Sequence, residues 1–206
     1  MRVTKQNTIQ NLDFPIKFVF KVSSFANDFT ATDANGNVIA YVRQKLFKLK
    51  EAIQIFSDES KSELIYTIQA DKWLDFSAAY SFKDEEGNEL GKIARKGWAS
   101  IWKANYEIID QHQQLQYNIK EDNGWVKVID SILGEIPILG MFTGYMFNPS
   151  YSVIDSNNQA VAKLVKEPSM MGRRFEVQKL TTFDADDDER IMLALMMMIL
   201  LERRRG

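Results

Sequence analysis

Two hydrophobic periodicities divide the chain. From residue 16 to residue 183, apolar and polar positions alternate in short runs broken by Asn, Gly, Asp and Ser, as in IKFVFKV (16–22) and YSFKD (80–84). Period-two alternation predicts strands with one buried face. From Ile191 to Leu201 the alternation gives way to eleven consecutive apolar residues, IMLALMMMILL. Leu, Met and Ala are strong helix formers, and a helix apolar on every side must be covered on every side. Asp184, Asp186, Asp187, Asp188 and Glu189 precede this run or open it, and Arg203, Arg204 and Arg205 follow it, an order that complements the helix dipole at both ends. Eleven residues make a rod of roughly 16 Å, whereas crossing a bilayer takes about 20 residues and ~30 Å. The rod is therefore expected to sit inside protein.

The alternating region repeats. Five units end on an aspartate: FTATD at Asp33, QIFSD at Asp58, YSFKD at Asp84, YEIID at Asp110 and YSVID at Asp155. Each is followed by a polar turn (ANGN, ESKSE, EEGNE, QHQQ, SNNQ) and a return strand closing on Lys45, Lys72, Lys96, Lys120 or Lys166. This is a hairpin signature, in which Asp bonds the backbone two residues on. Five hairpins, with Ile16–Val22 before them and Arg174–Thr181 after them, give twelve strands. So many antiparallel strands in series strain as an open sheet, and closure removes both edges. A ring this wide exceeds the roughly eight strands whose own side chains can fill the interior. The spare lumen and the apolar rod answer each other. Burying eleven apolar side chains at ~1.5–3 kcal/mol each contributes on the order of 15–30 kcal/mol gross. The expected fold is a closed antiparallel barrel of about twelve strands enclosing a hydrophobic C-terminal α-helix. Residues 1–14 read as a polar extension and 15–206 as one domain.

The run AYVRQKLFKLKEAIQIFSDE (40–59), the repeated hairpin–lysine–aromatic linkers and the acidic-capped apolar helix resemble the LURP-one-related family. That family is similar to the tubby C-terminal domain and to the phospholipid scramblases. The resemblance spans roughly residues 16–202 and implies a twelve-stranded barrel threaded by a central helix. It implies less about activity, because fold does not transmit function.

Composition removes several functions. With no cysteine there is no thiolate nucleophile, disulfide or Cys-based zinc site, and with one histidine, His112, no multi-His site can be assembled. No phosphate-binding glycine loop, dinucleotide fingerprint or nucleophile elbow occurs. A net charge of −2 with nearly balanced signs argues against a nucleic-acid partner. FDADDDE (183–189) fails as an EF-hand, having Glu189 where Gly and Leu195 where Glu would stand, so its carboxylates read as a helix cap. The expectation is a non-enzymatic protein without cofactor. MRVTKQNTIQNLD lacks the apolar core of a secretory signal, which predicts a cytoplasmic protein, peripheral to a membrane if it meets one.

The candidate site residues are basic and apolar. Lys45, Lys48, Lys50, Lys72, Arg95, Lys96, Arg173 and Arg174 lie at strand ends or in linkers, where they would meet anionic lipid head groups or, alternatively, keep edges soluble. The interval from Asp110 to Asp155 exceeds the others by about twenty residues and holds the apolar stretch 123–148. Within it Ile136, Ile138, Leu139, Met141 and Phe142 form either a lipid-contacting loop or a cover for a barrel end. Trp73, Trp98, Trp102 and Trp125 recur in linkers, as plugs or as an interfacial belt. Two readings result. One is a peripheral phospholipid- or phosphoinositide-binding protein whose partner is an anionic membrane surface. The other is a protein-interaction scaffold with no lipid activity.

Overall fold

The computed structural model describes residues 9–21, 27–44, 52–71, 79–95, 105–122, 150–167 and 174–203. Twelve strands follow one another: β1 (Ile16–Phe20), β2 (Phe29–Thr32), β3 (Val38–Gln44), β4 (Ala52–Phe56), β5 (Leu64–Ala70), β6 (Ala79–Asp84), β7 (Glu89–Arg95), β8 (Asn105–Asp110), β9 (Leu115–Glu121), β10 (Ser150–Ile154), β11 (Ala160–Glu167) and β12 (Arg174–Lys179). Each pairs antiparallel with its neighbours in sequence, and β12 returns to β1 with Phe18 opposite Phe175, closing the barrel. Alternation sets the facing. In β1, Ile16, Phe18 and Phe20 are buried while Lys17 and Val19 are exposed, and in β8 Tyr106 and Ile108 are buried between half-buried neighbours. The outward positions include Lys17, Thr67, Lys92, Glu107, Asn118, Ser152 and Lys163. A barrel that spans a membrane presents the opposite pattern, apolar outside and polar within.

The aspartate-marked turns share one geometry. Asp33 Oδ1 accepts hydrogen bonds from the backbone N–H of Asn35 (2.9 Å) and Asn37 (2.8 Å), and the Asp84, Asp110 and Asp155 carboxylates do the same two and four residues on. Asp58, in a turn two residues longer between its paired strand ends, takes the N–H of Ser60 at 2.7 Å. The third residue after each aspartate has positive φ (Gly36, Lys61, Gly87, Gln113 and Asn158), and the register of every one of the five hairpins shifts beside its turn. This is a type I turn continued by a left-handed residue and a bulge, and it matches the right-handed twist of the strands it joins.

The helix α1 (Ala185–Arg203) runs through the lumen. Ile191 to Leu200 are each at most 1% exposed, around the full circumference. Asp184 caps it, its Oδ1 accepting the Asp187 N–H at 2.8 Å. No helix in the described residues is long and apolar enough to cross a membrane.

Topology gives the barrel two unlike ends. All five aspartate turns and the entry of α1 share one end, and the odd-to-even connections share the other. The turn segments 33–37, 58–63, 84–88, 110–114 and 155–159 hold nine carboxylates and one lysine, which makes that end acidic. The segments joining strands at the opposite end (22–26, 45–51, 72–78, 96–104, 123–149 and 168–173) hold eight basic residues, four acidic ones and all four tryptophans. Those connecting segments are basic and aromatic in sequence, and they lie outside the described residues.

Residues 9–14, the last part of the expected polar extension, lie on the acidic end. Ile9 is fully buried in the core, and Leu12 and Phe14 pack against it. Asp13 ties the segment to the β2–β3 turn, its carbonyl accepting from Ala34 N–H at 2.9 Å and its carboxylate from Asn35 Nδ2 at 3.1 Å.

Candidate functional site

The helix is held at both ends by tyrosines of the barrel wall. Tyr66 in β5 donates its hydroxyl to Glu189, and Tyr117 in β9 donates to Asp187 at 2.7 Å. At the far end Tyr106 in β8 donates to Glu202 at 2.6 Å. Each of these tyrosines projects inward because it shares the buried phase of its strand with Ile68, Ile119 or Ile108. The ring thus supplies hydroxyl donors where the helix supplies carboxylates, and the match fixes how far α1 is inserted. The sequence reading passed over these tyrosines. Their signal is a tyrosine standing in the buried phase of a strand, where its O–H needs a partner.

The acidic end carries more. Arg190 donates from Nε to the Leu90 carbonyl at 3.1 Å, from Nη1 to Asp187 at 2.7 Å and from Nη2 to Gln111 Oε1 at 3.3 Å. Lys179 pairs with Asp188 at 2.9 Å, and its ammonium stands 4.0 Å from the centre of the Phe183 ring and 5.3 Å from that of Phe14. Gln10 Nε2 donates to Glu189 at 3.3 Å. An open groove of about 290 Å³ beside Phe14 is lined by Phe14, Pro15, Glu176, Gln178 and Lys179. Among the described residues no group of three or more His, Cys, Asp or Glu is placed to hold a metal ion. His112 sits exposed in its turn, where its backbone N–H bonds Asp110.

Of the sequence-derived site residues, Arg95 closes β7 and Arg174 opens β12, both at the basic end. Arg95 lies opposite Tyr106, and Arg174 is exposed opposite Glu167. Their strands stand five places apart in the ring of twelve, so the two arginines share a rim without touching. Lys120 and Lys166 lie near the same ends of β9 and β11. Lys45, Lys48, Lys50, Lys72, Lys96 and Arg173, the loop residues Ile136, Ile138, Leu139, Met141 and Phe142, and the four tryptophans lie outside the described residues.

Burial at the helix entry gives stability an unusual dependence on pH. Desolvation raises the Glu189 and Asp188 carboxyls above their ordinary 4.5 and 3.8, outweighing the donors that face them. Elsewhere the Asn37 side chain holds Asp33 below 3.8, that of Ser60 holds Asp58 below it, and at Asp122 the Ser150, Ser152 and Lys163 donors overcome burial to the same effect. A raised carboxyl binds its proton in the folded state before the unfolded chain does, so stability climbs as pH falls from neutral through the folded values of Glu189 and Asp188. A lowered one loses its contribution as pH falls below about 3.8. Stability gained from these two groups as pH falls from neutral toward the ordinary 4.5 is therefore expected to be smaller in Glu189→Gln than in the wild type, measured as the change in Tm over that range; identical Tm profiles for the two proteins would contradict the assignment. Burial also pushes the Tyr41 phenol up to about 12 and those of Tyr66 and Tyr117 higher, so stability drops as pH rises past the ordinary 10.0.

The model of the family described as LURP-one-related matches residues 38–200, from the first residue of β3 to the last turn of α1. The chain belongs to the LURP-one-related family. As a member it carries, outside the matched region, the segment 9–14, β1 and β2. No curated protein matches the chain. A protein from Arabidopsis thaliana solved by X-ray methods is similar to this LURP-one-related chain at 14% identity, with 94% of this chain and 93% of that one covered and a TM-score of 0.49.

Proposed function

We propose that this protein is a peripheral phospholipid-binding module that meets anionic membrane surfaces with the basic, aromatic end of its barrel. The observation that carries the proposal is the polarity between the ends: the segments joining odd to even strands hold eight basic residues against four acidic ones and all four tryptophans, while the five turns opposite hold nine carboxylates and one lysine. Lysines near an anionic surface contribute about 1 kcal/mol each, and tryptophan settles at the head-group level. The acidic end would be repelled, so the charge distribution also orients the barrel. Lipid transfer across a bilayer is no part of the proposal, because α1 is enclosed and the outer wall is polar.

Vesicle flotation tests it. The protein is expected to float with vesicles containing phosphatidylserine or phosphoinositide, to stay behind with neutral phosphatidylcholine, and to detach as salt rises toward ~0.5 M, where screening is nearly complete within a few ångströms. Lys45→Gln/Lys48→Gln/Lys50→Gln removes three attractive charges worth about 3 kcal/mol together, hence a loss of roughly 10²-fold in vesicle affinity. Absence of binding at every lipid composition would reject lipid recognition and leave the interaction scaffold as the function.

A further inference from the structure

The acidic end is closed by a strap of the chain itself, Ile9–Phe14. The strap crosses the barrel mouth from β5 to the β2–β3 turn and makes contacts of two kinds. Ile9 is fully buried, and Leu12 and Phe14 pack on the same core. Polar groups read the strap's backbone and side chains: Ile9 N–H donates to the Tyr66 hydroxyl at 3.2 Å, Gln10 Nε2 to Glu189 at 3.3 Å, and Leu12 N–H to the Asp188 carboxylate. Tyr66 donates its own O–H to the other oxygen of Glu189, so the strap completes a hydrogen-bonded set on a carboxylate that is 7% exposed.

None of these contacts uses the covalent link from Phe14 into β1. They are of the kind by which a groove holds a bound peptide, with backbone donors satisfied and apolar side chains buried, here with the left-handed Asn11 (φ +53) bending the segment between Gln10 and Leu12. Charge adds a direction. Arg2 and Lys5 precede the strap in the sequence, and the surrounding turns carry nine carboxylates to one lysine. A segment entering this mouth is favoured if its apolar residues follow basic ones.

We propose that the mouth is a peptide-docking groove occupied at rest by the strap, and that it receives from a partner protein a basic-flanked segment, bent as the strap is at Asn11, with an aliphatic residue, Gln and Leu at the spacing of Ile9, Gln10 and Leu12. The strap is then a competitor built into the chain, and affinity for the partner is set by how readily the strap leaves. This site is separate from the lipid-facing end and stands whether or not that end binds lipid.

The test uses the full chain and a fluorescein-labelled peptide of residues 2–15. Ile9→Asp/Leu12→Asp expels the strap's apolar anchors and leaves the mouth unfilled. The peptide is expected to bind this variant at least 10-fold more tightly than the wild type, with the complex at the mass of one chain, and the gain is expected to shrink when Glu189→Gln is added or salt is raised. Equal binding to both proteins, or none to a variant whose circular dichroism shows it folded, would overturn the proposal. Strap exchange between copies, seen as a wild-type dimer that the peptide dissociates, would overturn the assignment to a partner protein. Should the variant not fold, hydrogen exchange on the wild type decides. The Ile9 and Leu12 amides are expected to exchange at least 100-fold faster than those of Ile68 and Ile119, through openings insensitive to denaturant. Equal protection at all four would make the strap an inseparable part of the barrel and sink the idea.

Discussion

Leu195→Arg is expected to abolish soluble folded protein. Leu195 is fully buried midway along α1, with buried helix residues on either side of it. A guanidinium at that position loses its hydration inside a core whose buried strand residues, Phe18, Ile55, Ile93 and Val153 among them, are apolar and at most 1% exposed. An unpaired buried charge costs several kcal/mol even after the structure relaxes, and total stability is itself only about 5–15 kcal/mol. Leu195→Met serves as the control, since it conserves volume and costs less than about 1.5 kcal/mol. The measurement is the soluble fraction on expression, followed by circular dichroism of whatever is soluble. A free membrane anchor would respond in the opposite way, with the charge releasing a folded protein into solution. Recovery of folded Leu195→Arg at wild-type Tm would place the helix outside the ring and undo the architecture.

Gly91→Ala is expected to lower Tm by about 6–12 °C, the equivalent of roughly 3 kcal/mol in a domain of this size. Gly91 lies in β7 at φ +140, a conformation that L side chains rarely adopt. A Cβ there would stand 2.4 Å from the Ile109 carbonyl oxygen of β8, 3.3 Å from the Asp110 Cα and 3.1 Å from Arg190 Cδ. Two of those atoms are backbone, so relief requires β7 and β8 to separate beside the Asp110 turn. The Arg190 side chain crosses this glycine to reach the Leu90 carbonyl, which ties the strand's shape to the helix entry. Gly87→Ala gives the comparison. It has φ +86 with nothing within 4 Å of the added carbon, so only the left-handed backbone cost of about 1 kcal/mol applies. Equal Tm losses for the two variants would show that close approach at Gly91 carries no energy.

These two positions also separate what could be read from residues alone. Leu195 belongs to an unbroken apolar run, and such a run reports its burial directly because nothing else excuses eleven exposed hydrophobes. Gly91 sits in ELGKIARK looking like any strand glycine. Its constraint comes from the β8 backbone and from Arg190, neither of which is near it in sequence. The strap was hidden for a related reason. NTIQNLDFP has no strand or helix period, and the groups that hydrogen-bond Ile9 and Gln10, Tyr66 and Glu189, lie 57 and 179 residues further along the chain. The tyrosine clamps pair Tyr66 with Glu189, Tyr106 with Glu202 and Tyr117 with Asp187. Every such pair joins strand to helix across the fold, and no local rule couples their members.

By itself the sequence determined the strand count, the five turns and the enclosed helix, because each rests on short-range chemistry: alternation along a strand, an aspartate bonding N–H groups two and four residues ahead, and an apolar run too short for a bilayer. The closed ring follows from those parts, as the wall must have a filling and the filling a wall. Only the tertiary structure decided how the helix is registered in the ring, which segment covers its entry and where a glycine is indispensable. Those are meetings of groups distant in the chain, and their energies depend on distances and directions that exist only after the barrel has closed.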